Sequence, residues 1–207
     1  MSTHSHNICN MSLLYCDTET TGFSTKDSAP FEIAFIFVST TKDGKQYEVK
    51  KGFRLNPLNE NIKYHEVSFL THGVTEETIR SYQPASLVVP QIKSFLQACR
   101  KGYGLCPEEK PYLTGYNIDF DYRHVKKLLS DYGVSMNNYI SPRHLDVLHQ
   151  VQSAKARGIL RGIENCKQGT VAEFLNITNI KSHSAAGDIT TTREITKTLH
   201  EMGVKLY

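Results

Sequence analysis

The sequence predicts an α/β domain built on a mixed β-sheet, and three features support this fold class. Two largely apolar runs, residues 13–18 and 30–38, have the length and composition of buried strands. An Asp-Gly turn then leads to a mixed, basic run over residues 46–55, which is typical of an antiparallel edge strand. Apolar residues at helical spacing over 87–99 predict a helix, and a short strand is predicted at 112–116. Because a helix connects it to the preceding strands, this strand is expected to run parallel to the first strand and beside it.

The remainder of the chain is predicted to be largely helical. The segment from residue 56 to residue 74 has no clear periodicity and is predicted as a loop. Apolar periodicity and helix-start signals then predict helices over residues 87–99, 119–132, 143–151, 170–175 and 184–202, with one more beginning near Thr75.

Length and composition are those of one soluble globular domain. The chain has 207 residues, of which 39% are hydrophobic and 22% charged. Residues 1–11 are predicted as a flexible tail and residues 12–207 as a single domain. No apolar run is long enough to span a membrane, and the polar start lacks the apolar core of a secretory signal. The five cysteines are scattered, which favours a reducing, cytoplasmic setting. The net charge of +3 permits a nucleic-acid partner without requiring one.

The first strand carries two acids at its end. Strand side chains alternate between faces, so Asp17 and Glu19 point to the same side, about 6–7 Å apart along the strand. Two carboxylates on one face repel each other unless a cation or a shared proton offsets their charge. Oxygen ligands of this kind suit Mg²⁺ or Mn²⁺. The alternative is a strand end with two solvated acids and a Thr-Thr-Gly turn.

Two further acids lie on apolar stripes of predicted helices. Asp121 shares a stripe with Val125 and Leu128, and Asp188 shares one with Ile195. A buried, unpaired carboxylate is costly, so each must be neutral, paired or bound to metal. A single such acid is also explained by the helix dipole, which favours acids at a helix start. Two helices with such an acid, together with the two strand acids, indicate a two-metal site.

Two other polar features leave alternatives open. His183 comes five residues before Asp188, so it is placed on the loop before the last helix. An imidazole there would be a suitable general base, or it is one of nine ordinary histidines. A basic, glycine-interrupted stretch follows the helix predicted at 143–151 and contains Lys155, Arg157, Arg161 and Lys167. It is either a solvated surface or a contact for a phosphate backbone.

Three segments, in order, resemble the exonuclease motifs of the DEDD superfamily. They are Asp17-Thr18-Glu19-Thr20-Thr21-Gly22, Asn117-Ile118-Asp119-Phe120-Asp121 and His183-Ser184-Ala185-Ala186-Gly187-Asp188. The last has the H-x-A-x-x-D form of the His-bearing DEDDh branch, which includes the DNA polymerase III proofreading subunit, ribonuclease T, oligoribonuclease and the TREX enzymes. Weaker matches fill the gaps, so that the resemblance extends over residues 12–202.

The resemblance implies an RNase H-like fold, a mixed five-stranded sheet flanked by helices. It also implies two bound Mg²⁺ or Mn²⁺ ions. Asp17, Glu19 and Asp188 would hold one ion, while Asp17 would bridge to a second ion that Asp121 reaches directly or through water. His183 would take the proton from the attacking water. The expected activity is 3′-to-5′ exonuclease action that releases nucleoside 5′-monophosphates.

The same resemblance suggests contacts to the substrate. The backbone of Thr20 and Thr21 would approach the terminal nucleotide, and Phe23 would stack on the terminal base, worth about 1–3 kcal/mol. His72 matches a family position near the substrate. Asp119 is a second candidate beside Asp121, but the motif register and the apolar stripe both favour Asp121.

The leading hypothesis is an exonuclease for single-stranded 3′ ends, with DNA favoured over RNA. The first alternative is an exoribonuclease similar to ribonuclease T or oligoribonuclease. The second is a non-catalytic module that binds nucleic-acid ends, for example within a polymerase or repair complex. The sequence leaves the sugar preference, the strandedness and the oligomeric state open, because discrimination of RNA from DNA depends on contacts to the 2′-hydroxyl group.

Overall fold

The computed structural model describes residues 12–40, 46–101, 110–178 and 184–205. The strands are β1 (Leu13–Thr20), β2 (Pro30–Thr40), β3 (Gln46–Arg54), β4 (Tyr112–Gly115) and β5 (His144–Asp146). The helices are α1 (Glu66–His72), α2 (Glu76–Arg80), α3 (Ala85–Lys101), α4 (Ile118–Asp131), α5 (Val147–Ala156), α6 (Gln168–Phe174) and α7 (Ala185–Glu201). The strands form one sheet in the order β3-β2-β1-β4-β5.

The sheet has the mixed pairing that the sequence predicts. Strand β2 runs antiparallel to both β1 and β3, while β4 runs parallel to β1 and to β5. The predicted edge position of β3 and the parallel return of β4 are therefore confirmed, as is the mixed five-stranded sheet flanked by helices. The Asp-Gly turn lies within residues 41–45, outside the described residues, as do the predicted tail at 1–11 and His183.

Alternation along β1 decides what each face of the sheet contacts. Leu14 and Cys16 pack in the cluster that contains the apolar faces of α3 and α4. Leu13 and Tyr15 pack on the opposite face, with Ala185 and other residues of α7. Asp17 and Glu19 continue the second row, so they end on the side of the sheet that α7 covers.

One predicted helix is wrong at its start. The sequence predicts a helix over 143–151, but His144–Asp146 form strand β5, which pairs with β4, and the helix begins at Val147. Asp146 caps that helix, because its side chain accepts the Leu148 N–H at 2.9 Å. A strand of three residues is too short to show an alternating pattern, and its position depends on the free edge of β4.

The predicted loop over residues 56–74 is also wrong in part, because it contains helix α1. This helix buries Ser68 but exposes Val67, Phe69 and Leu70, so its sequence lacks the apolar stripe of an amphipathic helix. The helix predicted to begin near Thr75 is confirmed, since the Thr75 side chain accepts the Thr78 N–H at 3.2 Å. Across the described ranges, no helix is both long enough and apolar enough to cross a bilayer.

Gly115 ends β4 at the point where β1, β4 and α4 meet. A Cβ atom there would lie 2.6 Å from Ile118 Cδ1 and 2.7 Å from the Cys16 carbonyl oxygen. We expect Gly115→Ala to lower the free energy of unfolding by about 2 kcal/mol or more, because backbone must move to admit the methyl group.

Gly52 in β3 is the matched control for this substitution. It has open space around its Cβ position, so Gly52→Ala should be neutral or stabilise the protein by about 0.5–1 kcal/mol. Urea denaturation of the two variants checks the prediction, and equal effects would contradict it.

Candidate metal centre

Three carboxylates from two elements converge at one end of the sheet. Asp17 and Glu19 come from β1 and Asp188 comes from the first turn of α7. One oxygen of each lies within 4.8 Å of the others, and three ligand atoms at this separation could hold a metal ion. Ser184 caps α7 by accepting the Gly187 N–H at 3.2 Å, and this cap fixes where the first turn begins. All the potential ligands are hard oxygens, which suit Mg²⁺ or Mn²⁺.

Gln168 ties the start of α6 to the helix that carries Asp188. Its side-chain amide donates to the Asp188 carbonyl oxygen at 2.7 Å and to Thr192 Oγ1 at 2.9 Å. These bonds hold the first turns of α7 in position relative to α6. Sequence analysis missed Gln168, because a glutamine that binds the backbone of another helix leaves no pattern in its own segment.

Asp121 lies beside these three carboxylates and is held by β1. It is only 4% exposed, and Thr18 Oγ1 donates to its Oδ1 at 2.7 Å. Strand β4 pairs with β1 from Leu13 to Tyr15. Beyond Tyr15 this edge of β1 is not paired with β4, and α4 can approach it there. Asp121 is not part of the three-residue oxygen cluster, but its charge raises the pKa of Asp17.

Burial and mutual repulsion raise the pKa values of these acids. Burial, followed by the charges of Asp121 and Asp188, raises the pKa of Asp17 well above its ordinary range. Burial and the Asp188 carboxylate raise the pKa of Glu19 to about 8. Burial raises the pKa of Asp121 to about 7, although its bonds from Thr18 act in the opposite direction. At neutral pH, carboxyl groups whose pKa values are raised in this way either keep their protons or bind a cation.

A further acid, Glu32, lies opposite Glu19 across the β1–β2 pair. Arg54 Nε donates to Glu32 Oε2 at 3.1 Å, from the position on β3 that directly faces Glu32. This ion pair compensates the charge of Glu32. Glu32 is therefore engaged by Arg54 and is not part of the cluster of Asp17, Glu19 and Asp188.

The residues predicted to contact substrate have different surroundings. Phe23 is 67% exposed, so its ring is free to stack on a base. Thr20 and Thr21 are buried, and Thr20 Oγ1 donates to the Gly22 carbonyl oxygen at 2.7 Å. The Thr21 N–H donates to the Ala29 carbonyl oxygen at 3.0 Å. The β1–β2 connection thus uses the Thr21 N–H, and the approach of the Thr20 and Thr21 backbone to the terminal nucleotide stays a prediction.

His72 ends α1 and packs against the sheet. Its ring meets the edge of Phe31 with a centroid distance of 4.6 Å, and its Nδ1 accepts the Val74 N–H at 3.0 Å. Burial lowers its pKa. His72 thus packs α1 against β2, and its predicted substrate contact stays a prediction.

Asp119 and Asp121 lie two residues apart on α4 and differ in environment. Asp119 is exposed and lies 3.2 Å from Arg123 Nε on the next turn of the helix. Asp121 is buried and turned towards β1. This difference supports the choice of Asp121 from the apolar stripe.

Thr18 offers a direct test of how Asp121 is positioned. We expect Thr18→Val to lower the affinity for Mn²⁺ about tenfold, because loss of a bond that orients a ligand typically costs 10–100-fold in metal affinity or activity. Thr18→Ser keeps the hydroxyl group and should retain most of the affinity. Calorimetric titration of Mn²⁺ into the two variants, with circular dichroism to check folding, decides the question. Equal Mn²⁺ affinity in the Val and Ser variants would contradict this role.

The sheet order and its flanking helices define the RNase H-like class of α/β folds. Solved structures with the same fold include zinc-bound E. coli exonuclease I in complex with single-stranded DNA, with a TM-score of 0.75 and 17% identity. Another is exonuclease I with a dT13 oligonucleotide, with a TM-score of 0.72 and 17% identity. Cell-death related nuclease 4 (CRN-4) matches with a TM-score of 0.72 and 16% identity.

The extent of these matches differs between the two proteins. The similarity to exonuclease I covers 95% or 94% of this chain but only 42% or 41% of exonuclease I. For CRN-4 it covers 96% of this chain and 67% of the other. No protein-family model and no curated protein sequence matches the chain. At this level of identity, the matches establish the fold.

Proposed function

We propose that this protein is a metal-dependent 3′-to-5′ exonuclease that hydrolyses single-stranded nucleic acid and releases nucleoside 5′-monophosphates. The observation that carries the proposal is the approach of Asp17, Glu19 and Asp188 to within 4.8 Å of one another at the end of the sheet. The same fold in exonuclease I and CRN-4, both described as nucleases, supports it.

The residues at the centre fit divalent cations. The donors are carboxylate oxygens whose raised pKa values reflect burial and repulsion, and both effects favour the binding of a positive ion. Asp17, Glu19 and Asp188 would hold one Mg²⁺ or Mn²⁺, and Asp17 with Asp121 would hold a second. When bound, such ions act as Lewis acids that stabilise the entering and leaving oxygens of a phosphoryl displacement.

The other proposed roles belong to side chains around the acids. His183 immediately precedes the cap of α7 in the sequence and is proposed as the base that accepts a proton from the attacking water. Phe23 would hold the terminal base by stacking on its exposed ring. Thr18 and Gln168 position Asp121 and the Asp188 turn through the hydrogen bonds described above.

Single-stranded DNA is the favoured substrate, because exonuclease I of the same fold has been crystallised with single-stranded DNA. RNA ends are the alternative. Association with a polymerase or repair complex, and a cytoplasmic location, stay predictions from the sequence.

Digestion of end-labelled oligonucleotides tests the proposal. Single- and double-stranded DNA and RNA are incubated with Mg²⁺, Mn²⁺ or EDTA, and the products are resolved by size. We expect a 3′ label to leave at once as a mononucleotide and a 5′ label to give a descending ladder, with no reaction in EDTA. Release of a 5′ label first, or activity in EDTA, would show that the assignment is wrong. Binding without hydrolysis would favour the non-catalytic alternative.

A further inference from the structure

A second polar pocket lies away from the carboxylates, at the open edge of β5. Its volume is about 450 Å³, within the size range of sites for small ligands. The pocket lies between β5, α5 and the residues after α7, and it is lined in part by His144, His149, Ser153, Arg157 and Lys205. Helix α7 starts near Asp188 and ends near this pocket, about 20 Å further along the helix axis.

One face of α5 supplies much of the chemistry of the pocket. His149, Ser153 and Arg157 lie four residues apart and so form one stripe of the helix, with an imidazole, a hydroxyl and a guanidinium group in a row. Lys205, in the residues after α7, adds a second cation. Such donors match a phosphate group, because guanidinium and ammonium groups supply charge while the hydroxyl and imidazole groups supply further hydrogen bonds.

The polar groups of the pocket are open to a ligand. Within the described ranges, neither Arg157 nor Lys205 has an ion-pair partner, and His144 Nε2 is buried without a hydrogen-bond partner. Asp146 lies at the pocket but is already engaged, since its Oδ1 accepts the N–H groups of Asn117 and Leu148 at 2.9 Å each. Among the described residues, Arg157 and Lys205 are thus two cations without an ion-pair partner, and the Asp146 carboxylate is held by two backbone N–H groups.

The segment after α5 connects this pocket to the metal centre. The segment begins at Arg157, which lines the pocket, and includes Arg161. The carbonyl oxygen of Cys166 then accepts a bond from Tyr116, which follows β4, and Gln168 contacts the Asp188 carbonyl oxygen. The basic, glycine-interrupted stretch of the sequence therefore runs between the two sites rather than over an unrelated surface.

We propose that this pocket binds a phosphate group of the nucleic-acid strand several nucleotides upstream of the 3′ end held at the carboxylates. The inference rests on the proposed exonuclease function. In this arrangement the strand follows the segment of residues 157–168, and the pocket contributes to the grip on longer strands without taking part in hydrolysis. Its contribution is electrostatic and independent of base sequence.

Strands of different length distinguish the effect of the pocket on binding from the effect of the catalytic residues. A strand of about three nucleotides is too short to extend from the acids to the pocket, whereas one of about twelve lies in the range that single-strand-binding grooves hold. We expect Arg157→Gln/Lys205→Gln to raise KM for the longer strand about fivefold to tenfold, because charge-assisted hydrogen bonds are lost, and to leave kcat and the short strand unchanged.

Salt dependence provides a readout that a general loss of structure would not produce. For a single strand, the slope of log K against log salt should fall by about 0.7 for each phosphate contact removed. The double variant Lys93→Gln/Lys127→Gln removes the same side-chain charge from α3 and α4 and should behave as the wild type. An unchanged KM and salt slope in the Arg157/Lys205 variant, or equal changes in both double variants, would overturn the inference.

Two further results keep this inference distinct from the proposed function. If the wild-type protein hydrolyses neither strand, the exonuclease assignment is wrong, and fluorescence anisotropy of the same strands in EDTA still tests the pocket. Calorimetry with inorganic phosphate and with a nucleoside 5′-monophosphate tests a free phosphate as the occupant. Binding of either that depends on Arg157 and Lys205, with no effect on strands, would reject the strand in favour of a small phosphate ligand.

Discussion

Replacing Asp17 with asparagine is expected to lower the rate of 3′-end hydrolysis by about a thousandfold or more, equivalent to about 4 kcal/mol of transition-state stabilisation. Asp17 lies within reach of Glu19 and Asp188 and is proposed to hold both ions, so its loss affects both proposed metal positions. Asparagine keeps the shape of the side chain but removes its charge. The measurement is kcat/KM for a 3′-labelled strand, together with calorimetric titration of Mn²⁺, whose affinity should fall in parallel.

Asp119→Asn is the matched control for Asp17→Asn. Asp119 is also an acid near the site in sequence, but it is exposed and pairs with Arg123 on the outer face of α4. Its variant should retain wild-type activity. If Asp17→Asn keeps more than about a tenth of the activity while folded, a loss of less than about 1.4 kcal/mol, the carboxylates are not the catalytic centre.

The stability of the metal-free protein is expected to fall as the pH rises from about 4.5 to about 8. These limits are the ordinary pKa of Glu19 and its value in the folded protein. Between them the folded protein keeps a proton that the unfolded chain has released, so each rise in pH favours unfolding. Asp17 and Asp121 shift in the same direction. The raised pKa of Glu19 alone corresponds to a loss of about 5 kcal/mol, or about 10–20 °C in Tm for a chain of this size.

Thermal melts in EDTA across this pH range check the expectation. Glu19→Gln should flatten the pH dependence and raise Tm at pH 8, whereas Glu60→Gln, at an exposed acid before α1, should leave it unchanged. Because Mn²⁺ competes with protons for the carboxylates, its stabilising effect should grow with pH and reach about 2.7 kcal/mol at one hundred times its Kd. A metal-free Tm that rises from pH 5 to pH 8 would contradict the repulsion inferred for this cluster.

Two kinds of error in the sequence analysis have physical explanations. Strand β5 was predicted as part of a helix because three residues carry no usable period, and only the hydrogen bonds offered by β4 make them a strand. Helix α1 was predicted as a loop because its apolar residues are exposed, so its sequence does not show a buried face. In both cases the local sequence lacks the periodic pattern by which such an element is predicted.

The sequence by itself determined where the acids are and which way they face. Alternation places Asp17 and Glu19 on one side of β1, and helical spacing places Asp121 and Asp188 on inward faces, because both periods are local properties of the backbone. In the structure, Asp17, Glu19 and Asp188 meet in one cluster, and Asp121 is buried against Thr18 of β1. The proposed catalytic role of His183 also comes from the sequence alone.

Only the tertiary structure decided which partners surround those acids. The pairing of β2 with β3 sets Arg54 against Glu32, and the docking of α6 on α7 brings Gln168 to the Asp188 turn. The same packing leaves Arg157 and Lys205 together at a pocket beyond β5. Contacts of this kind join residues far apart in the chain, and they depend on strand register and helix docking, which no local period of the sequence encodes.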